Sequence, residues 1–349
     1  MSKAVAAETG GAPALVSREL PPVPVSIQGP VETYNWLGDQ DEHKQAALRF
    51  TESICHGPNN PTPAIRPLLL QGAALEWPAT ELWSLDWLAA NHGSFRGMVR
   101  ISPSMDVKYC NSRLSRLLTA ATCGSYIPTS ATTMMSMAEF AMRLRADCPQ
   151  PSLRYPGQEF CYMQAAVPKR LLKDIQPDQH WAFNSRGISA ISSINVVTGW
   201  LQMAGDWQPR DSGKDLLLAR MWVSPAGTVS PLHYDIPDSI LTQIRGRKRL
   251  LLWQREDLHR LYTYPMWHPL FRRSRVNPVA PDLAKYPLYQ GVAVYEALLN
   301  PGDLLFIPSC WAHYTESLDM SISISTRLPL RGSKATGAWL RKVLHSHRR

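Results

Sequence analysis

From residue 215 to 328 the chain repeats one phrase: a short apolar segment, then a turn built on Gly or Pro. DLLLARMWV, SPAGTVSPLHYD, ILTQIRGRKRLLLW, GVAVYEALL, NPGDLLFIP and SISISTRL follow one another in this way. Several short strands joined by such turns cannot bury their apolar faces one at a time. They must close on each other as a sandwich or barrel. The last run alternates, with Ile322 and Ile324 on one face and Ser321, Ser323 and Ser325 on the other. Residues 258 to 291 interrupt the pattern with a proline-rich insertion, and a long loop inside a compact barrel is more often functional than accidental.

The first half is mixed. IRPLLLQGA reads as a buried strand ending at Gly72. ATELWSLDWLAANHG reads as one helix, with Thr80 as N-cap, Trp83 and Trp87 four apart, and Gly93 as the stop. Ser136 and Glu139 form a capping box ahead of a second helix, and EFCYMQAAV reads as a strand. There is no βαβ rhythm and no glycine-rich phosphate loop. Residues 1–30, rich in Ala, Pro and Gly, predict a disordered arm. A single domain is expected over 31–330, its mixed part at 31–214 and its barrel at 215–330, with a basic tail at 331–349.

The chain has 349 residues, 44% of them hydrophobic, which is ample for one large core. No run of eighteen apolar residues occurs, so no membrane contact is expected, and the N-terminus reads as neither secretory signal nor transit peptide. Six scattered cysteines without a CxxC pair suit reduced thiols in a cytoplasmic or nuclear setting. The formal net charge of +9 gathers in IRGRKR, FRRSR and LRKVLHSHRR. These clusters read first as solvated surface, and they also suit RNA or an acidic partner.

The chemistry lies in LHYDIPDS. Residues two apart on a strand share a face, so His233 and Asp235 project together. An aspartate buried without a partner costs several kcal/mol or more. A divalent cation would satisfy it. A third ligand is available in NPGDLLFIPSCWAHYTES, where His313 follows the strand that Pro308 ends. Two histidines and a carboxylate with open positions make the facial triad of non-haem Fe(II) oxygenases. His-x-Asp alone has the competing reading of a satisfied histidine beside a turn aspartate. His180, His259 and His268 offer the same residue type in less suggestive settings.

The ordered block AGTVSPLHYD, GRKRLLLW and NPGDLLFIPSCWAH resembles the JmjC-type 2-oxoglutarate oxygenases of the cupin superfamily. It looks closest to the small hydroxylase branch that includes the asparaginyl hydroxylase of hypoxia signalling. The likeness runs back through YPGQEFCYMQ and RPLLLQGAALEWPA, so it covers roughly residues 65 to 328. It implies a mainly β fold with flanking α-helices around a double-stranded β-helix (jelly-roll) core. It also implies Fe(II) held by His233, Asp235 and His313, and 2-oxoglutarate held at its far carboxylate by Lys248 and Ser230. By the same resemblance Tyr162 lies in the co-substrate pocket and Gln164 meets substrate. Two positions depart from the pattern: Ser239 stands where an asparagine is usual, and Arg327 where an asparagine or aromatic is frequent.

The activity implied is hydroxylation of a protein side chain with release of succinate and carbon dioxide. Lysine demethylation and tRNA-base hydroxylation are variants of the same chemistry. A non-catalytic JmjC-like binding module is the alternative from another class, and a cupin-type sugar isomerase is remoter. The stretch ATGAWLRKVLHSHRR reads as a helix with Trp339, Val343 and Leu344 on one side. The resemblance makes it a candidate for homodimer formation.

Overall fold

The computed structural model describes residues 27–37, 41, 42, 45, 49, 66–122, 130–145, 160–175 and 219–327. His180, most of the N-terminal arm and the C-terminal helix expected around Trp339 lie outside them. Six strands come first: β1 (Ile27–Pro30), β2 (Glu32–Asn35), β3 (Leu68–Gln71), β4 (Arg96–Ser102), β5 (Ala131–Ser136) and β6 (Phe160–Ala166). The barrel follows as β7 (Ala219–Ser224), β8 (Val229–Tyr234), β9 (Ser239–Arg245), β10 (Lys248–Trp253), β11 (Val294–Leu299), β12 (Leu304–Ile307), β13 (Ala312–Ser317) and β14 (Ser321–Arg327).

These strands form two sheets, a five-stranded one in the order β1-β11-β10-β13-β8 and a nine-stranded one in the order β2-β3-β12-β9-β14-β7-β6-β4-β5. The barrel strands cross back and forth: β7, β9, β12 and β14 lie in the larger sheet, and β8, β10, β11 and β13 in the smaller. All pairings among these eight are antiparallel. This winding is the cupin-like jelly roll. β6, β4 and β5 extend the larger sheet beyond β7.

Local chemistry explains the turns. Gly246 joins β9 to β10 at φ +67, and a Cβ there would sit 2.3 Å from the Met320 carbonyl oxygen, so only glycine fits. Gly302 has φ +90, with the Leu75 side chain 2.5 Å from where its Cβ would be. Beside it, buried Asp303 accepts hydrogen bonds from the backbone N–H of Gly72 at 2.9 Å and of Asn300 at 2.8 Å. That carboxylate therefore ties the β12 turn to the end of β3.

Both faces of β14 are buried, for different reasons. Ile322 and Ile324 join an apolar core with Trp83, Leu88 and Phe140 beneath the outer helices. The serine face points into the barrel. Ser321 accepts from Gln243 Nε2 at 2.8 Å, Ser323 from Lys248 Nζ at 2.5 Å, and Ser325 from Trp222 Nε1 at 2.8 Å. The interior is thus polar, as a jelly roll holding a polar ligand requires.

The capping box forms as expected: Ser136 accepts from the Glu139 N–H, and Glu139 accepts from the Ser136 N–H. The helix read across 79–93 is instead two, Pro78–Leu82 and Leu85–His92. Trp83 breaks it with extended backbone, and its fully buried indole N–H donates to Asp174 at 3.0 Å. Thr80 does not cap: its hydroxyl donates to the Ala74 carbonyl at 2.7 Å, and Ser84 caps the second helix by accepting from the Trp87 N–H. No helix among the described residues is long and apolar enough to cross a membrane.

The insertion is ordered. Leu258, Leu261, Val276 and Tyr289 pack with Leu232, Tyr234 and Trp253 against the smaller sheet. Its turn then runs back along β8: Tyr234 N–H donates to the Arg272 carbonyl at 3.2 Å, and Ser274 N–H to that of Leu232 at 2.8 Å. Solvated surface was the expectation for FRRSR, and this corrects it for two members, because Arg272 and Arg273 are only 4% and 8% exposed. In IRGRKR, likewise, Arg249 is buried against Glu296 at 2.6 Å and Arg247 pairs with Asp319 at 2.8 Å. Arg247, Lys248, Arg249, Arg272 and Arg273 are thus built into the fold, because each finds an acid or a cavity.

Candidate metal centre and cavity

β8 and β13 are neighbours in the smaller sheet, and their register sets His233 directly opposite His313. The ring centroids are 4.3 Å apart. Asp235 follows just beyond the end of β8. One donor atom from each of His233, Asp235 and His313 lies within 4.8 Å of the others. Among the described residues no other set of three His, Cys, Asp or Glu side chains comes so close. His259 instead faces the Glu256 carbonyl, and His268 stacks on Tyr264 at 4.2 Å.

The donor chemistry fits a metal ion. Nδ1 of His233 lies 2.8 Å from the Pro231 carbonyl oxygen, and Nδ1 of His313 lies 3.2 Å from that of Trp311. With Nδ1 protonated toward those carbonyls, each Nε2 keeps its lone pair, which is the usual way a protein orients a metal-binding imidazole. Burial pushes the pKa of both histidines down, that of His233 well down, so both are neutral ligands near pH 7. Burial pushes Asp235 the other way, but the positive field of Arg327 and Arg273 outweighs it and holds the carboxyl below its ordinary range.

Asp235 is gripped from two sides. Arg272 Nη1 donates to Oδ1 at 2.8 Å and Arg327 Nη2 to Oδ2 at 3.5 Å. The backbone on either side is strained: Arg272 has φ +69 and Cys310 φ +62, and the Cys310 N–H donates to the Asp235 carbonyl at 2.8 Å. Left-handed non-glycine residues cost of order 1 kcal/mol or more and gather at functional sites.

The triad opens on a cavity of about 180 Å³ between the sheets. That is below the roughly 300–1,000 Å³ of pockets for drug-sized ligands and suits a small one. All nine residues singled out from the sequence line it: His233, Asp235 and His313, then Lys248, Ser230 and Tyr162, then Gln164, Ser239 and Arg327. Lys248 opens β10, is 2% exposed and has Ser323 as its hydrogen-bond acceptor. Burial alone pulls its pKa down to about 7. Tyr162 stacks on Trp222 at 5.5 Å, and burial raises its phenol above the ordinary range. Gln164 accepts from Arg100 Nη2 at 3.2 Å. Ser239 opens β9, in register with Ile307 on one side and Arg327 on the other.

Among the cavity residues that sequence reasoning missed are three arginines and a tyrosine. Arg100 and Arg220 lie inside strands β4 and β7, where an arginine between apolar neighbours was itself a signal. Tyr109 and Arg273 come from connections, and only tertiary folding brings them in.

A double-stranded β-helix holding a His-x-Asp pair and a distant histidine at the wall of its internal cavity defines a cupin-type protein with a candidate site for one metal ion. The chain belongs to the cupin-like domain family, whose pattern matches residues 59–326. Its relatives include JmjC-domain proteins. It is 37% identical over 115 residues to lysine-specific demethylase 8 of Xenopus tropicalis, covering 33% of this chain and 26% of that one. It is 40% identical over 106 residues to Jumonji C domain-containing protein 5 of Drosophila melanogaster, covering 30% and 26%. It is 36% identical over 104 residues to tRNA wybutosine-synthesizing protein 5 of Danio rerio, covering 30% of each. The matched stretch therefore spans well under half the length of these relatives.

Proposed function

We propose that the chain is an Fe(II)- and 2-oxoglutarate-dependent oxygenase that hydroxylates a protein side chain. The observation that carries this reading is the convergence of His233, Asp235 and His313 on the cavity that also holds the buried ammonium of Lys248. When bound, ferrous iron with 2-oxoglutarate supplies the oxidation, consuming dioxygen and releasing succinate and carbon dioxide as one oxygen atom passes to the substrate.

The chain's own groups do the rest. Nε2 of each histidine and one oxygen of Asp235 would hold the metal. Arg272 and Arg327 fix the Asp235 carboxylate by hydrogen bonds, so Arg327 acts here as a positioning residue. Lys248 Nζ and the Ser230 hydroxyl take the distal carboxylate of the diacid. A carboxylate arriving beside a lysine whose pKa has fallen to about 7 holds the proton on Nζ. Leu241, Leu250 and Ile307 form an apolar wall that limits water at the reacting end. Tyr162 lines the co-substrate pocket, Gln164 borders the space for substrate, and Ser239, shorter than asparagine, leaves room beside it.

The similarity to JmjC proteins supports the chemistry in general. The named demethylase and the tRNA-modifying relative make lysine demethylation and tRNA-base hydroxylation the runner-up outcomes. We place the enzyme in the cytoplasm or nucleus, with a protein as its substrate and a homodimer formed through the C-terminal stretch around Trp339. The test is conversion of 2-oxoglutarate to succinate by the purified full chain with Fe(II), against His233→Ala, with labelled dioxygen and cell extract to find the product gaining one oxygen. Turnover that disappears in His233→Ala supports the oxygenase. No turnover together with no iron binding leaves a non-catalytic binding module.

A further inference from the structure

The cavity is far more positive than iron and 2-oxoglutarate require. Five cations line it, Arg100, Arg220, Lys248, Arg273 and Arg327, and among the described residues Asp235 is the one carboxylate that does. A ferrous ion and a dicarboxylate cancel each other in charge, so the excess persists with both bound. Buried charge of one sign is costly until an opposite charge meets it.

Two of these arginines are built as a receptor. Arg100 is 3% exposed and Arg273 is 8% exposed. Their guanidinium carbons lie over the same ring, that of Tyr109, at 4.2 and 5.1 Å from its centroid. Among the described residues, the buried donors Nε of Arg100 and Nη1 of Arg273 find no hydrogen-bond acceptor. Buried donors are nearly always satisfied, so orphans on two guanidiniums that share one ring and one cavity point to an absent acceptor.

Their place in the fold puts them on other segments than Lys248, with Arg100 opposite Tyr162 in the β4–β6 register. Arg100 stands on β4, three strands along the larger sheet from β14, which carries Ser323, the partner of Lys248. At about 4.8 Å per strand, that is roughly 14 Å between strand axes. Arg273, in contrast, bridges to His233 across the edge of β8. Arg273 therefore sits beside His233, and Arg100 reaches the same cavity from β4.

We infer that Arg100 and Arg273, stacked on Tyr109, form a second anion subsite that binds a carboxylate of the primary substrate next to the metal centre. This rests on the oxygenase reading for its meaning as a substrate site. The planar guanidinium fork suits a carboxylate. A nucleic-acid backbone is read by exposed basic tracks, whereas these groups are buried in a cavity with room for one slim anionic group. A methylated lysine would bring a further cation into an uncompensated positive field.

The test is fluorescence anisotropy of the full chain with labelled nonapeptide pools, randomised at the flanks and fixed at the centre as Asp, Asn or trimethyl-lysine. It is run with and without 2-oxoglutarate and Mn(II), and N-acetylaspartate serves as a competitor. The Asp pool should bind about tenfold or more tighter than the Asn pool, the worth of one charge-assisted hydrogen bond, with trimethyl-lysine weakest. Arg100→Gln should abolish that preference and Arg100→Lys should keep part of it. Arg273→Gln serves where Arg100→Gln fails to fold by circular dichroism.

Equal binding of Asp and Asn pools, a preference for trimethyl-lysine, or a preference that survives both glutamine variants overturns the inference. Competition by N-acetylaspartate as strong as by peptide assigns the subsite to free small acids, and weaker competition assigns it to protein side chains. Calorimetry of 2-oxoglutarate binding to the wild type separates the two claims. An Asp preference without 2-oxoglutarate binding keeps the anion subsite and removes the oxygenase. Binding of 2-oxoglutarate without an Asp preference does the reverse.

Discussion

Lys248→Met should make the protein more stable and unable to bind its co-substrate, and the size of the gain can be worked out. The Lys248 ammonium is 2% exposed, and burial pulls its pKa from 10.5 to about 7. That gap of about 3.5 pH units, at about 1.4 kcal/mol each, is about 5 kcal/mol against the charged form in the folded state. The unfolded chain keeps the proton up to pH 10.5, whereas the folded one gives it up near 7. The cost is therefore full below pH 7, shrinks as pH climbs toward 10.5, and is gone above it. Methionine fills a similar volume without charge but strands the Ser323 hydroxyl, for about 1–2 kcal/mol.

The net gain at pH 7 is about 3 kcal/mol. At about 2–4 °C per kcal/mol for a chain of this order, Tm rises by roughly 6–12 °C. Thermal melts of the full chain by circular dichroism at pH 7, 8, 9 and 10 measure it, repeated with 2-oxoglutarate. The gap should close with rising pH, and only the wild type should be further stabilised by the diacid. A variant that melts lower at pH 7, or a gap indifferent to pH, would refute the claim that Lys248 is a buried charge held for a ligand.

Three further outcomes follow from the same geometry. Arg272→Leu removes the 2.8 Å partner of Asp235 and leaves Arg327 at 3.5 Å, so urea unfolding should show a loss of about 3 kcal/mol and Mn(II) affinity should change about 10–100-fold, while Arg327→Leu does less. Because His233 and His313 are held neutral below the ordinary imidazole range, Mn(II) affinity followed by electron paramagnetic resonance should stay nearly flat from pH 8 to 6.5. A steep loss starting at pH 7 would mean that those rings are exposed to ordinary protonation. Trp83→Phe deletes the donor to buried Asp174 and should cost about 2 kcal/mol in the same unfolding assay, with the two-helix break retained.

What could be read from the sequence was whatever neighbours decide. The alternation in SISISTRL, the Gly246 and Gly302 turns and the Ser136–Glu139 capping box are set within a few residues, and each appears where its local chemistry puts it. The helix across Trp83 was misread for the opposite reason. Its spacing is helical, but a partner ninety-one residues away takes its indole N–H and bends the chain there. The cavity shows the same division. His233 and Asp235 share a face by strand period, whereas the meeting with His313 needs the β8–β13 register.

The sequence by itself determined that short turn-bounded strands must close into a barrel, and that one such strand carries a histidine and a carboxylate which burial would not tolerate alone. Only the tertiary structure decided that a proline-rich insertion folds back along β8 and that arginines from four separate segments converge on one cavity. The physical reason is range. Backbone propensity and side-chain period act over a few residues, but the field in a cavity is the sum of charges that sheet packing gathers from across the chain.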